Sequence, residues 1–301
     1  MILLSVLLDI VLPVFVIIGL VFVAARMLTI DAHTLSRVSR YLLAPALVYS
    51  KLVGTTVTSA DLVQIVLFAV VGTVLMVALS WVVARVLRLD QSKESSFILS
   101  SSFNNCGNYG LPLVLFAFGQ QGLERALIYF VTSAFLVNTL AVFVASRGRA
   151  RVTTSLSNIF RIPMIYAIAA AFMVRAANIS VPDLFSQPLE MVGEATIPVM
   201  LLLLGVQLAR SSLGRQIPLI CAATLVKLVG AALVGMALAA AMGLTGVTRQ
   251  TCIVEHATPS GVMTSILALE FGTEPELATG VIFASTLASI VTMTVLVSWL
   301  S

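Results

Sequence analysis

Charged residues are scarce in this chain of 301 residues. Asp, Glu, Lys and Arg make up 10% of it, whereas they make up about 25% of an average soluble domain. The hydrophobic fraction is 59% and the mean hydropathy is +1.09, so the chain has too little polar surface for a water-soluble protein of this size. This composition excludes a soluble domain and indicates a helical membrane protein. The net charge of +4 comes from arginines in short loops and does not suggest a nucleic-acid partner.

Cysteine, histidine and catalytic motifs are also few. Cys106, Cys221 and Cys252 lie in separate apolar segments without a CxxC pair, which argues against disulfides and metal ligation. No HExxH, GxSxG or phosphate-binding loop occurs. We therefore predict no catalytic residues, no metal site and no cofactor. An intramembrane enzyme is a weak alternative, and a nucleotide-driven pump would need a separate subunit to supply ATP hydrolysis.

Long apolar runs dominate the sequence instead. A helix crosses a bilayer with about 17–25 apolar residues. Ten segments meet this requirement, near residues 3–25, 36–52, 62–87, 95–118, 123–146, 158–177, 188–209, 216–242, 250–271 and 277–299. The first has no basic residue before Arg26 and contains Asp9, unlike a cleaved signal peptide. The predicted fold class is an all-α integral membrane protein with ten transmembrane helices.

The basic residues alternate between the two sets of loops. Of the seventeen Lys and Arg residues, twelve lie in loops after odd-numbered spans, four lie in loops after even-numbered spans, and Lys227 lies inside a span. The positive-inside rule then places the odd-numbered loops in the cytoplasm and both termini outside. The predicted location is the inner (plasma) membrane, which the chain crosses several times.

Residues repeat weakly between the two halves of the chain. Four pairs share an offset of 153 residues: Pro45 and Pro198, Phe118 and Phe271, Gly119 and Gly272, and Phe130 and Phe283. They predict two five-helix repeats, residues 1–150 and 151–301. Because five is odd, the second repeat must have inverted topology, a device of secondary transporters. The alternative is chance matching among segments rich in Leu, Val and Ala.

Spans 4 and 9 contain residues that interrupt helices. Residues 104–112 of span 4 read NNCGNYGLP, and residues 257–261 of span 9 read ATPSG. Unwound backbone in lipid is tolerated where it is buried in protein or lines a wet cavity, so two such breaks at corresponding places predict a transport site. The alternative is two simple proline kinks. The candidate substrate-binding residues are Asn104, Asn105, Gly107, Asn108, Pro112, Thr258, Pro259 and Ser260.

A pair of half-helices suits a negatively charged substrate. The first turn of a helix offers free N–H groups and a partial positive charge, so two converging half-helices could hold a carboxylate without a fixed cation. Asparagine side chains add donors and acceptors that keep their character at any pH. Asn138 and Gln207, which also lie inside spans, are expected to form interhelical hydrogen bonds instead.

Three ionisable residues inside spans are candidates for coupling. Lys227 would attract an anion or replace a bound cation, or it would be a structural or snorkelling residue. Glu255 and His256 would carry a proton or line an outer vestibule. On the predicted spans, Lys227 and Glu255 differ in depth by about 13 Å at 1.5 Å per residue, which argues against a direct pair. A proton-linked or uncoupled process is preferred over sodium coupling.

The motifs in spans 4, 7 and 9 resemble the auxin efflux carrier family, which has bacterial members as well as plant carriers. The resemblance rests on residues 104–112, on the TPSG break and on PVMLLLLGVQLA at 198–209, and it extends over the whole chain. It implies a fold similar to that of bile-acid/sodium symporters, in which helices 4 and 9 cross at their breaks and helices 1, 2, 6 and 7 form a scaffold. It also implies transport of organic anions and a homodimer.

The sequence as a whole favours a secondary transporter. The expected substrate is a small carboxylate, in particular a dicarboxylate or an auxin-like acid, moved by alternating access at the crossing of helices 4 and 9. The coupling ion would be H⁺ or Na⁺, if there is one. A channel-like or sensory protein built on a transporter fold is the main alternative.

Overall fold

The computed structural model describes residues 2–146, 163–177 and 179–300, and these residues form helices without any β-strand. The helices are α1 (Ile2–Met27), α2 (residues 32–53), α3 (Ser59–Val86), α4 (Gln91–Ser102), α5 (residues 106–118), α6 (residues 120–145), α7 (Pro163–Ala176), α8 (Asp183–Arg210), α9 (Ile217–Ala241), α10 (Gly246–Ala257), α11 (Met263–Glu270) and α12 (Pro275–Leu300). The all-α class is confirmed. The predicted boundary between repeats, at residues 150 and 151, lies outside the described residues.

Six helical segments in the described part of the chain are long and apolar enough to cross a membrane. They are α1, α3, the run Cys106–Ala145 that contains α5 and α6, α8, α9 and α12. Large apolar side chains such as Leu20, Val291 and Trp299 are exposed on these helices. Side chains of this kind on the outside of apolar helices indicate contact with lipid, so the chain is a multi-pass membrane protein.

Short polar residues begin several helices. The Asp31 carboxylate accepts hydrogen bonds from the backbone N–H groups of His33 and Thr34 at the start of α2. The Asp90 side chain does the same for Ser92 and Lys93 at the start of α4. These caps satisfy N–H groups that have no partner within the helix. Hydrogen bonds from Thr34 and then His33 hold the pKa of the Asp31 carboxyl below its usual value.

Several glycines with positive φ lie between consecutive helices, and two of them end corresponding half-helices. Gly119 has φ 64° and ψ −157° between α5 and α6, and Gly272 has φ 61° between α11 and α12. A side chain is strained in this region of backbone space, whereas glycine is not. Both turns therefore depend on the absence of a Cβ atom.

The helices pack in two groups. In the first group, α1 packs on α8, and α2 packs on α7 and α8. The α1–α8 contact is close, because a Cβ atom at Gly205 would lie 2.7 Å from Val21 Cβ. In the second group, α10 packs on α3, α6 and α9. The candidate residues of the two helix breaks lie inside this second group and along its border with the first.

Within the described residues, five helical turns are wider than an α-helical turn, with π-type hydrogen bonding. They are Leu7–Val11, Ser39–Leu43, Cys106–Gly110, Val137–Ala141 and Val226–Gly230. Such bulges often occur at functional sites. Four of the five carry residues of the site described next, among them Arg40, Asn138 and Lys227.

Candidate functional site

The two predicted helix breaks contact each other. Residues 103–105 separate α4 from α5, and residues 258–262 separate α10 from α11. They run antiparallel, with Asn104 bridged to Ser260. The Asn105 N–H donates to the Pro259 carbonyl at 2.8 Å, and the Gly261 N–H donates to the Phe103 carbonyl at 3.0 Å. Each break therefore supplies hydrogen-bond partners that the other lost by leaving the helix.

The local sequence explains where the helices stop. Pro259 has no N–H to continue α10, and Pro112 lies in the first turn of the α-helical run that begins at Leu111. A Cβ atom at Gly261 would lie 2.8 Å from the Asn104 carbonyl oxygen, so the close approach of the two breaks requires glycine there. The interruption in span 4 is shorter than predicted, because residues 106–112 are helical.

The Asn104 side chain is held entirely by protein groups. Its Nδ2 donates to the Glu255 carbonyl at 2.7 Å and to the Tyr129 hydroxyl at 3.2 Å. Its Oδ1 accepts from the Ser133 hydroxyl at 3.2 Å. Asn104 therefore joins α4, α6 and α10, and a substitution there would disturb the fold as well as any ligand contact.

A cavity of about 350 Å³ lies beside the paired breaks. Its wall includes four of the eight predicted substrate-binding residues, Asn104, Asn105, Gly107 and Asn108. The other four do not line it. Thr258 and Ser260 are fully buried, Pro259 bonds Asn105 through its carbonyl group, and Pro112 is buried in α5. These four residues lie behind the cavity wall, in the break between α10 and α11 and at the start of α5.

The polar atoms of the cavity favour an anionic ligand. Among the described residues that line it, Arg40 is the one with a charge, and its exposed side chain lies at the rim. Asn105 is 6% exposed, and its Nδ2 donor has no hydrogen-bond partner. An unpaired buried donor costs about 1–3 kcal/mol. Nδ2 itself is covered in this conformation, so a ligand with an acceptor oxygen would remove that cost once the amide group turns toward the cavity.

The wall also contains polar residues that were not predicted to bind a ligand, among them Arg40, Asn138 and Gln207. The predicted interhelical hydrogen bonds of Asn138 and Gln207 do not form as expected, because Asn138 Nδ2 donates to Ala134 of its own helix and Gln207 Oε1 has no partner. Arg40 and Asn138 both lie in wide turns and both line the cavity.

The Lys227 side chain extends from α9 to the break between α10 and α11. Its Nζ is fully buried and donates to the His256 carbonyl at 3.3 Å, close to the C-terminus of α10, where partial negative charge favours a cation. As the predicted depth difference implied, Lys227 and Glu255 form neither a hydrogen bond nor an ion pair with each other.

Glu255 and His256 are buried and do not face an outer vestibule. The His256 ring meets the Phe68 ring edge to face, with centroids 5.7 Å apart. Its Nδ1 is hydrogen-bonded to the Tyr129 hydroxyl at 3.0 Å. Both Glu255 carboxylate oxygens lack a partner. The buried side of the paired breaks thus carries titratable groups, and the cavity side carries amides.

Known proteins match most of the chain. A family model described as a membrane transport protein matches residues 6–297. An uncharacterized transporter of Methanothermobacter thermautotrophicus is 22% identical over 264 residues, which are 87% of each chain. An uncharacterized transporter of Methanocaldococcus jannaschii is 25% identical over 210 residues, or 68% of each chain.

Proposed function

The chain belongs to the membrane transport protein family, and on this premise we propose that it is a secondary transporter of a small organic carboxylate. The family is one of transporters rather than of enzymes, and its match confirms the resemblance to auxin efflux carriers. The proposed substrate lies in the cavity beside the paired breaks. Alternating access of this site to the two sides of the membrane moves the substrate across.

The unpaired Nδ2 donor of Asn105 is the observation that carries the proposal. It lies in a wall where Arg40 supplies the charge among the described lining residues. The first turn of α5, with Cys106, Gly107 and Asn108, is part of the same wall. The N–H groups of a first turn have no partner within the helix and carry partial positive charge. These donors favour a carboxylate over a cation or an apolar ligand.

We propose that the fold has ten transmembrane helices in two inverted repeats. Gly119 and Gly272, one of the pairs at the offset of 153, both adopt positive φ at the end of the half-helix that follows each break. On this proposal, α1, α2, α7 and α8 form the scaffold, and the remaining helices carry the crossing of helices 4 and 9. A homodimer remains a prediction from the family resemblance.

The cavity faces one side of the membrane in this conformation. Its rim contains Arg40, in the segment after the first span, and the positive-inside rule assigns that segment to the cytoplasm. On the opposite side of the paired breaks, the buried side chains of Phe68, Tyr129 and His256 fill the space. We infer an inward-facing state that would bind substrate from the cytoplasm.

A thermal-shift screen of the purified protein tests the binding site. Lactate, malonate, malate and indole-3-acetate are the probes, with matched chloride salts as the ionic control. Ligand binding to the folded state raises Tm by mass action. Asn105→Ala removes a donor worth about 1–3 kcal/mol and should weaken binding of the active carboxylate about tenfold or more. The exposed Gln121→Ala variant should behave like the wild type.

Transport itself is measured by counterflow of the radiolabelled carboxylate in proteoliposomes. We expect counterflow with the wild type and with Gln121→Ala, and a large reduction with Asn105→Ala. Carboxylate binding without counterflow would indicate a sensory protein instead of a transporter. No thermal shift and no counterflow with any of the four carboxylates would refute the carboxylate proposal.

A further inference from the structure

The Glu255 carboxylate is buried without any hydrogen bond. Its residue is fully buried at the end of α10, and neither carboxylate oxygen has a partner. The group packs against the first turns of α5, since a Cβ atom at Gly110 would lie 2.7 Å from Glu255 Cδ. A buried carboxylate without a partner is costly when charged. This position therefore favours a group that can exchange its charge.

Lys227 is the nearby basic group. It reaches the C-terminal end of α10 from α9 and donates to the carbonyl group of His256, the residue after Glu255. No described ion pair joins Lys227 to any carboxylate. Lys227 thus binds the residue next to Glu255 and leaves the Glu255 oxygens free to take up a proton.

The other titratable groups around Glu255 do not bond its carboxylate. Tyr129, on α6, is hydrogen-bonded to Asn104 and His256, and Tyr109, on α5, is hydrogen-bonded to Ser289. The thiols of Cys106 on α5 and Cys252 on α10 are also within electrostatic range. These groups are neutral at ordinary pH. Together with Lys227 and His256, they are the titratable groups around Glu255.

The Glu255 position is connected to the cavity. Asn104 lines the cavity and donates to the Glu255 carbonyl at 2.7 Å. Cys106 also lines the cavity and lies within electrostatic range of both Glu255 and Lys227. An anion in the cavity would therefore act on the charge of Glu255 across a single layer of residues.

We propose that Glu255 is the coupling site, which takes up one proton when the carboxylate binds. The empty carrier contains Glu255 as carboxylate and Lys227 as ammonium, with no net charge. The loaded carrier contains the protonated Glu255, the Lys227 ammonium and the substrate anion, and for a monoanion it again has no net charge. The proton moves from water to a carboxylate oxygen, and an O–H bond forms. Net charge inside a membrane is costly. Because neither the empty nor the loaded carrier has net charge at this site, both can change between the two orientations.

This inference rests on the proposed function and predicts proton–anion symport. The binding constant should therefore depend on pH. Because binding takes up one proton, Kd should rise about tenfold for each pH unit above the pH range in which Glu255 titrates. A dianion would need a second compensating charge, so the tightest ligand should carry a single negative charge at the crossover site.

Binding measured against pH tests the coupling site. Kd for the best of the four carboxylate probes is determined by calorimetry from about pH 6 to about pH 8, in buffers of different ionisation enthalpy, with and without sodium. We expect the wild type to take up about one proton per anion and to be insensitive to sodium. Glu255→Gln, a neutral mimic of the protonated acid, should bind with proton uptake near zero and with a Kd that does not depend on pH.

Two further variants keep this test independent of folding. Lys227→Met should also abolish the proton uptake, because Glu255 without the nearby cation would keep its proton permanently. Glu270→Gln, an exposed change on α11, should take up protons as the wild type does. Monodisperse elution and Tm report whether each variant folds.

The outcomes of these measurements distinguish the coupling site at Glu255 from the proposed carboxylate transport. Carboxylate binding without proton uptake in the wild type would overturn the coupling site and leave the proposed function intact. Binding that requires sodium, with no dependence on pH, would do the same and would make Glu255 a cation ligand. No carboxylate binding at any pH would remove the proposed function and the coupling site with it.

Discussion

At the scale of single residues, Gly261 fixes how closely the two breaks approach. A Cβ atom there would lie 2.8 Å from Asn104 O and 3.2 Å from Asn104 C, and both atoms belong to the backbone, which cannot rotate away. We expect Gly261→Ala to cost about 1–3 kcal/mol and to lower the Tm of the purified protein by several degrees. It should also weaken carboxylate binding, because Asn105 would shift with the separated breaks.

Gly19→Ala is the matched control for Gly261→Ala. Gly19 lies in the middle of α1 with no atom near the site of the added Cβ, and an alanine in a helix is about 0.5–1 kcal/mol more favourable than glycine. This variant should keep or raise Tm. Equal melting temperatures for Gly261→Ala and the wild type would mean that the two breaks are not as close in the protein as described.

At the scale of helices, the two half-helices after the breaks end in the same way. Gly119 ends α5 and Gly272 follows α11, both at positive φ and both with open space where a Cβ atom would be added. Each alanine variant should therefore lose about 1–3 kcal/mol through backbone strain alone. Similar falls in Tm for Gly119→Ala and Gly272→Ala would support the inverted repeat, because equivalent turns would respond equally.

Gly54→Ala is the control for the two helix ends. Gly54 also ends a helix in open space, but its φ is −97°, which alanine adopts without strain. We expect little change in Tm. If all three variants behaved alike, the positive φ at Gly119 and Gly272 would not be limiting for stability.

The helix breaks show what local sequence predicts and what it does not. Gly and Pro near residues 104–112 and 257–261 predict interruptions, because they act on their own backbone. The hydrogen bond from Asn105 to the Pro259 carbonyl group joins residues far apart in the chain, and nothing local encodes it. The same holds for the hydrogen bond from Lys227 to the His256 carbonyl group and for the position of Arg40 in the cavity wall.

At the scale of the whole molecule, the orientation in the membrane is a prediction from the arginine distribution. Thr56, in the loop between α2 and α3, should lie outside the cell, and Ser212, between α8 and α9, should lie inside. Both are exposed. In a Cys221→Ser background, Thr56→Cys should react with a membrane-impermeant maleimide on intact cells.

Ser212→Cys is the opposite arm of the same labelling experiment. It should react only after the membrane is permeabilised, because its side is the one with the basic loops. The reverse pattern would place the cavity of this conformation on the outer side and make the described state outward-facing. Labelling of both positions on intact cells would show that one of the spans between them does not cross the membrane.

The pairing of the two breaks also bears on how the protein is made. Span 4 is synthesised long before span 9. The backbone groups of Phe103 and Asn105 therefore have no partner until Gly261 and Pro259 have been synthesised. Unpaired backbone groups are poorly tolerated in lipid, so the early half stays incompletely folded in the translocation machinery or in contact with a chaperone. A gene split between the two halves would yield two subunits that mature only when both are synthesised together.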